Sequence, residues 1–463
     1  MYIYPFSREA IGHLDRWAAE TSRKPLIVRG ARQVGKSTLV DMFSRKYRRV
    51  ARLNLEKPGH ADLFRRDLSL QDTVQAILLE CRTPPGPDPL LLFLDEIQEV
   101  PEAVALLRYF HEERPDIHVV AAGSLLEVAM EEEEAISFPV GRVQFLYLRP
   151  LSFQEFLMAQ GESAALDALR TIPAPAFAHE RLLDLFRRYT MVGGMPEAVG
   201  AYAQSGGELG PVHLVYADLF RTFQDDIGKY GKSESQRRIL LHCLDTAPFL
   251  AGSRVTFQGF GGSDYRSREV GEALRTLERA MLLDLVHPTT GWTDPVIPDL
   301  RKSPRLQFLD VGLVSHRAGL QRQLLEARDL SETHRGRVVE QVIGQEFKTI
   351  ALREDLPLAF WVRDKAQSQA EVDFLIRSAR GLVPVEAKSG AAGKLRSLHQ
   401  YMIRSGSRLA VRLYGGPASL QDVEAHGASY RLLNVPYYAA SLVDAYIAES
   451  DRHPGAWSAP SKT

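Results

Sequence analysis

The chain has 463 residues, room for roughly three domains, and its 57 Lys plus Arg balance 58 Asp plus Glu to a formal net charge of −1. Overall charge therefore does not mark a nucleic-acid binder, and any such contact must come from local basic patches. Two distant cysteines, Cys81 and Cys243, exclude a disulfide framework or a cysteine-rich zinc site and fit a reducing compartment.

The N-terminal MYIYPFSREA lacks the charged-then-apolar order of a signal peptide, and no apolar run approaches the ~20 residues that span a bilayer. The expectation is a cytoplasmic protein with no membrane partner. Over the first part of the chain, Pro25–Arg29, Val50–Leu55, Leu90–Leu94 and His118–Ala122 are short apolar runs bounded by turn residues, with helical patterns between them. That alternation predicts a parallel α/β sheet. From Pro150 to about Lys229 the pattern is mostly helical and is interrupted at Gly193–Gly194–Met195–Pro196. Helices near Gln236–Asp245 and Ser267–Arg279, a strand at Met281–Val286 and a turn at Pro288–Gly291 suit a winged helix-turn-helix. The proline-rich Asp294–Pro304 reads as a connector, and a second α/β region begins near Leu330 with a helix over Gly336–Leu352.

GARQVGKS at Gly30–Ser37 fits G-x-x-x-x-G-K-[ST] at every fixed position, after an apolar strand and at the start of a helix. Backbone N–H groups of Gly30, Ala31, Arg32, Gln33, Val34 and Gly35 are expected to wrap phosphates, helped by the partial positive charge of the helix N-terminus. Lys36 is expected to reach the β- and γ-phosphates of ATP and Ser37, next to Thr38, to hold Mg²⁺. Asp95 and Glu96 end the buried run LLLFLDE. There Asp95 can hold Mg²⁺ through water, and Glu96 can orient the attacking water as the catalytic acid–base group. Ser124 follows another core strand and either senses the γ-phosphate or is a plain turn serine. Arg142 is either an arginine finger, in cis or from a neighbouring subunit of a homo-oligomer formed through this domain, or one half of a surface ion pair.

GARQVGKST, LLLFLDEIQEV, AAGS, GRVQFLYLRPLSFQEF and GGMPEAV, in this order, resemble a group of prokaryotic AAA-type ATPases with a C-terminal domain of unknown function. The resemblance runs from about Arg8 to about Val411 and implies an ATPase core, a helical lid, a winged helix and a nuclease-like C-terminal domain. The chain is also similar to the signal-transduction ATPases, which implies that Gly194 and Pro196 lie near the adenine; a simple helix break is the alternative. The expected division is 1–160 ATPase core, 161–230 helical lid, 231–300 winged helix, 301–330 linker, 331–450 nuclease-like α/β domain and 451–463 disordered tail.

The second constellation is AEVDFLIRSARGLVPVEAKSG, Ala370–Gly390. Residues alternate with strand periodicity on both sides of a turn at Ser378–Gly381. A two-residue loop sets Ser378 opposite Gly381, and the same register sets Asp373 opposite Glu386. Like charges so placed, with Cβ atoms ~4.5–5.5 Å apart, are destabilising unless a divalent cation lies between them. Lys388, on the face of Glu386, can stabilise developing phosphate charge. The pattern resembles the PD-(D/E)XK nucleases, which implies metal ligands at Asp373, Glu386 and, from the upstream helix, Glu340, with Glu346 a second candidate and Gln400 an accessory residue. Here Val372 stands where the superfamily's proline leads the motif. Arg266, Arg268, Arg275 and Arg279 on or beside the second helix of the winged-helix region could contact phosphates, although Glu269, Glu272 and Glu278 interleave with them. Two functions follow: an ATP- and Mg²⁺-dependent ATPase coupled to a metal-dependent nuclease acting on nucleic acid, DNA ahead of RNA, or a nucleotide-controlled switch whose C-terminal domain binds a partner without cleaving it.

Overall fold

The computed structural model describes residues 6–66, 68–123, 139–228, 231, 233–326, 336–350, 352, 357–364, 370–379, 381–387, 395–425, 427–453 and 457. The chain divides into two compact units: Met1–Arg149 with Arg279–Leu282 and Ala351–Asp355, and Pro150–Glu278 with Leu283–Ile350 and Leu356–Thr463.

The first unit holds five strands: β1 (Leu26–Arg29), β2 (Arg49–Asn54), β3 (Leu90–Asp95), β4 (Ile117–Gly123) and β5 (Gln144–Tyr147). They form one sheet in the order β2-β3-β4-β1-β5, with every pairing parallel. β3 and β4 are buried at every position, which is why they read as unbroken apolar runs rather than as an alternation. Ile27, Leu53, Leu92, Leu94 and Val119 pack with Val104 and Leu107 of the helix Pro101–Glu113 into the core. The four strands expected from the sequence are present. β5 was not anticipated, because QFLY is short and buried at one position only. The order has a functional consequence. β4 lies between β1 and β3, so three strand tips meet at one edge.

The second unit begins at the helix Phe153–Ala159, which a capping box between Ser152 and Glu155 starts sharply. Helices His179–Val192, Pro196–Gln204, Leu209–Gly228, Glu234–Leu250 and Ser267–Arg279 follow. β6 (Leu283–Val286) then pairs antiparallel with β8 (Arg305–Phe308), and β7 (Pro288–Thr289) lies between them in sequence. This corrects the expected 301–330 linker. β8 is buried at all four positions and is followed by the helix Val311–Arg317. The proline-rich Asp294–Pro304 belongs to the loop of the β6–β8 hairpin, not to a connector between domains.

Beyond the helix Arg337–Ile350 come β9 (Phe360–Val362), β10 (Glu371–Val372), β11 (Phe374–Ser378), β12 (Gly381–Ala387), β13 (Leu409–Tyr414), β14 (Ser419–Ala425) and β15 (Ala428–Pro436). One sheet has the order β11-β12-β13-β15-β14, antiparallel at both edges and parallel at its centre, and a second has the order β10-β9-β7. Of the expected disordered tail, residues 451 and 452 complete the helix Val443–Arg452, and Trp457 is buried with its ring 5.7 Å from that of Tyr446. The other tail residues after His453 lie outside the described residues.

A buried carboxylate ties this unit together. Asp310 caps the helix Val311–Arg317, its Oδ1 accepting from the Leu313 N–H at 3.1 Å and the Tyr216 hydroxyl at 2.8 Å. Its Oδ2 accepts from the Gly194 N–H at 2.7 Å and the Gln345 amide at 3.2 Å. Burial raises its pKa, and these four donors pull it back toward the ordinary range. Gly193, at φ 77°, leaves no room for a side chain: a Cβ would lie 2.3 Å from Asp310 Oδ1. Asp310→Ala should strand these donors and destabilise the unit by roughly 3 kcal/mol or more, read as a lowered urea midpoint. An unchanged midpoint would show that the network is incidental.

Candidate functional site

The loop between β1 and the helix Lys36–Ser44 is shaped by two left-handed residues, Gln33 at φ 64° and Gly35 at φ 94°. Gly30 is required for a different reason: a Cβ there would lie 2.4 Å from the Leu148 carbonyl oxygen. The buried Arg8 braces the loop from outside, donating to the Val34 carbonyl at 3.0 Å and the Arg149 carbonyl at 2.7 Å. Lys36 is buried and arches over the loop, its Nζ donating to the carbonyls of Gly30 at 2.9 Å and Ala31 at 3.0 Å. Burial lowers its pKa to about 8, against the opposing pull of Glu96 and Asp95.

Asp95, at the tip of β3, is likewise buried. Ser37 Oγ donates to its Oδ1 at 3.0 Å, and Arg52 Nη2 lies 3.4 Å from its Oδ2. Burial raises the Asp95 pKa, while the Ser37 hydrogen bond works the other way. A hydroxyl and a carboxylate brought together in this way would suit a hard cation such as Mg²⁺. Glu96 has a left-handed backbone, φ 53° and ψ 49°, uncommon for a residue with a side chain. Its Oε2 accepts from Gln98 Nε2 at 2.8 Å. Gln98 lies against the tip of β4, where a Cβ on Gly123 would meet its Oε1 at 2.5 Å. Ser124 follows directly but lies outside the described residues.

Arg142 is placed elsewhere. It precedes β5 at the amino edge of the sheet, where its Nε donates to Glu112 Oε1 at 2.8 Å. The P-loop leaves the opposite edge, about 13 Å away along four residues of strand. Arg142 is therefore not a finger acting in cis, and the surface ion pair is what the fold supplies. Gly194 and Pro196 belong to the second unit. The Gly194 N–H goes to Asp310 and its carbonyl accepts from the Leu151 N–H at 2.7 Å, while Pro196 opens a helix.

In the second unit the hairpin has the register expected from its turn, with Ser378 facing Gly381 and Phe374 facing Val385; the ladder ends there, so the expected pairing of Asp373 with Glu386 is not part of it. Both carboxylates are buried, and Asp373 Oδ2 accepts from the Ala387 N–H at 2.8 Å. Carboxylate oxygens of Glu340, Glu371 and Asp373 lie within 4.8 Å of one another. The expected Glu386 is not a member, and Glu371, in β10 two residues before Asp373, was not anticipated as one. Nor was Arg305 of β8. Its guanidinium pairs with Glu371, its Nε lies 3.3 Å from Glu340 Oε2 and its Nη2 lies 4.0 Å from Asp373 Oδ1. Burial lowers the Arg305 pKa, but Glu340, Glu371 and Asp373 outweigh it and hold the group above its ordinary value. Glu346 is engaged elsewhere, accepting from the Phe153 N–H and the Tyr189 hydroxyl at 2.9 Å each. Gln400 Oε1 accepts from Arg363 at 3.3 Å. Lys388 lies outside the described residues. On the helix Ser267–Arg279, Arg268 is paired with Glu272 at 3.0 Å.

Residues 22–157 match a family described as AAA domain. They form an AAA-type ATPase domain. Residues 183–324 and 335–425 match two domains of unknown function, DUF8612 and DUF4143, whose descriptions assign no activity. Comparison with curated proteins gives no match. Among solved structures, a Walker-type ATPase of Pyrococcus abyssi is 14% identical, with a TM-score of 0.44 over 68% of this chain and 96% of its own. The Aeropyrum pernix ORC1 protein in complex with DNA is 12% identical, with a TM-score of 0.26 over 68% of this chain and 94% of its own. Likenesses at these scores add nothing to the assignment. Among the described residues no helix is long and apolar enough to cross a membrane.

Two contacts in the AAA-type ATPase domain escaped the motif reading, because neither Arg52 nor Gln98 has a fixed place in it. Arg52 bridges Asp41 and Asp95, and Gln98 holds Glu96. The low pKa of Lys36 has a measurable consequence. Its charge is lost as pH rises through about 8, whereas bound phosphates would favour the ammonium form and raise its pKa. ATP affinity should be flat near neutral pH and fall above pH 8, by at most about tenfold per pH unit, with proton uptake on binding. Calorimetric titrations at pH 8.5 in two buffers of different ionisation heat will show it; identical heats in both would refute it.

Proposed function

We propose that the AAA-type ATPase domain binds ATP with Mg²⁺ and hydrolyses it, and that nucleotide state governs a nuclease-like C-terminal domain that engages nucleic acid, DNA ahead of RNA. The observation that carries the ATPase half is the Ser37–Asp95 hydrogen bond, which joins the helix after the P-loop to the tip of β3. Lys36 exchanges its carbonyl partners for the β- and γ-phosphates, and the loop N–H groups cradle the chain of phosphates. Ser37 and Asp95 would hold Mg²⁺, which would supply neutralisation of phosphate charge. Glu96, once turned from Gln98, orients the attacking water and takes its proton. Lys36→Ala should abolish tight ATP binding. Glu96→Gln should keep binding and lower turnover by roughly 100-fold or more. Full turnover in Glu96→Gln would remove Glu96 from the mechanism.

The nuclease half rests on the hairpin carrying two buried carboxylates: Asp373 just before β11, where it accepts from the Ala387 N–H, and Glu386 in β12. With Lys388 two residues further on, these residues resemble a metal-dependent phosphodiesterase site in which Glu340 completes the acids. A second reading, a switch that binds its partner without cleaving it, is favoured by Arg305, whose guanidinium already answers the charge of Glu340, Glu371 and Asp373. Wild type and Lys388→Ala, incubated with DNA or RNA, Mg²⁺ or Mn²⁺, with and without ATP, separate the two. Metal-dependent nicking by wild type and its loss in the mutant support the nuclease. No nicking, or equal nicking by both, leaves the switch.

A further inference from the structure

The acid cluster of the second unit and the cation paired with it come from two separately matched stretches of the chain. Glu340, Glu371 and Asp373 fall in the stretch 335–425, whereas Arg305 falls in 183–324. Three carboxylate oxygens within 4.8 Å of one another fit the ligand shell of one hard divalent cation, whose bonds are about 2.0–2.6 Å long. A cation is already among them, and the chain supplies it. Arg305 is buried, pairs with Glu371 and lies 3.3 Å from Glu340 Oε2. Its Nη1 donates to the Asp373 carbonyl at 2.6 Å. Its Cζ also lies over two aromatic rings, 4.4 Å from the centroid of Phe360 and 5.5 Å from that of Phe374. Arg254 stands behind it, 3.8 Å from the other oxygen of Glu371.

Position, not side-chain choice alone, fixes Arg305 there. β8 pairs with β6, Arg305 facing Val286, and on its other side Leu306 exchanges backbone hydrogen bonds with Gly252 and Ser253 at 2.8 and 2.9 Å. A long cationic side chain on such a strand cannot swing away into water without moving the strand.

We propose that Arg305 is a tethered cation that occupies the divalent-metal position of the Glu340–Glu371–Asp373 cluster, so that Arg305 and a metal ion exclude each other and the metal enters only when β8 withdraws. This deepens the nuclease-like reading and rests on it for the notion that these acids can hold a metal. A guanidinium within 4.0 Å of three carboxylates answers their charge, and a divalent ion entering beside it would meet a like charge at short range. The consequence is regulatory. The stretch 183–324 holds the acid cluster of the stretch 335–425 closed, and whatever displaces β8 opens it.

The test is Mn²⁺ binding in the absence of nucleotide, followed by electron paramagnetic resonance on the full chain carrying Lys36→Ala. With Arg305 in place, the spectra of this protein and of its Asp373→Asn derivative should titrate alike, because no Asp373-dependent site is open. Arg305→Met should tighten Mn²⁺ binding at least about tenfold and add one site per chain, and adding Asp373→Asn to it should abolish that site. Methionine keeps the apolar stem against Phe360, and circular dichroism checks that the variant is folded. An Asp373-dependent Mn²⁺ site with Arg305 present would overturn the proposal whether or not the variant folds. So would a folded Arg305→Met that gains no site. Cleavage decides the other question: Arg305→Met that gains the metal and still cuts neither DNA nor RNA removes the nuclease and leaves the lock standing.

Discussion

A charge taken out of water must be answered by a partner within hydrogen-bond reach, and both units are organised around places where that happens. In the first, Lys36 and Asp95 are buried side chains of opposite sign at one edge of the sheet, each held by named groups of the loop and helix around it. In the second, Asp310 takes four donors from four parts of the chain, and Arg305 answers three acids. Remove the partner and the remaining charge has nowhere to go. The local geometry follows from that requirement more than from helix or strand propensity.

The strand order turns this constraint into a site. Because β4 separates β1 from β3, the P-loop and the Asp95–Glu96 tip are held apart by the width of two strand pairings, about 10 Å, at the same edge of the sheet. Gln33 in the loop and Glu96 at the strand tip carry the left-handed backbone strain at that edge, while Gly35 adopts the same region without it. Gln98 then decides which way Glu96 points. A residue just beyond the acidic pair thus bears on whether the pair is ready to act.

In the second unit one short segment does two jobs. Arg305, at the start of β8, reaches the acid cluster, and Asp310, just after the strand, reaches Gly194 and the cap of the next helix. Between them Gln307 donates to the backbone carbonyl of Gln341 at 2.6 Å. Helix Arg337–Ile350 is therefore gripped along its length by the segment that precedes it, through Gln341 and Gln345 as well as Glu340. Any displacement of β8 is felt at the cluster and at the Gly193–Gly194 turn together.

Much of this was legible in the residues themselves. The P-loop, the acidic strand tip, the four buried strands and the register of the β11–β12 hairpin are local patterns, set by φ/ψ limits, strand alternation and turn length, so a short window contains the whole signal. What no window contains is a meeting of distant residues. Arg142 read equally as a finger or as half of a surface ion pair until the parallel pairing of β5 with β1 set it at the edge away from the P-loop, which excludes a finger in cis. Residues 301–330 read as a linker because their prolines are local, whereas the antiparallel partner that makes β8 a strand lies some twenty residues earlier, in β6. The acid cluster was half visible: Asp373 and Glu340 were legible as candidate metal ligands, but Glu386 is not among the acids that gather with them. Glu371 and Arg305 join it only through tertiary packing, because an ion pair between β8 and β10 depends on where two strands are brought, not on what either one spells.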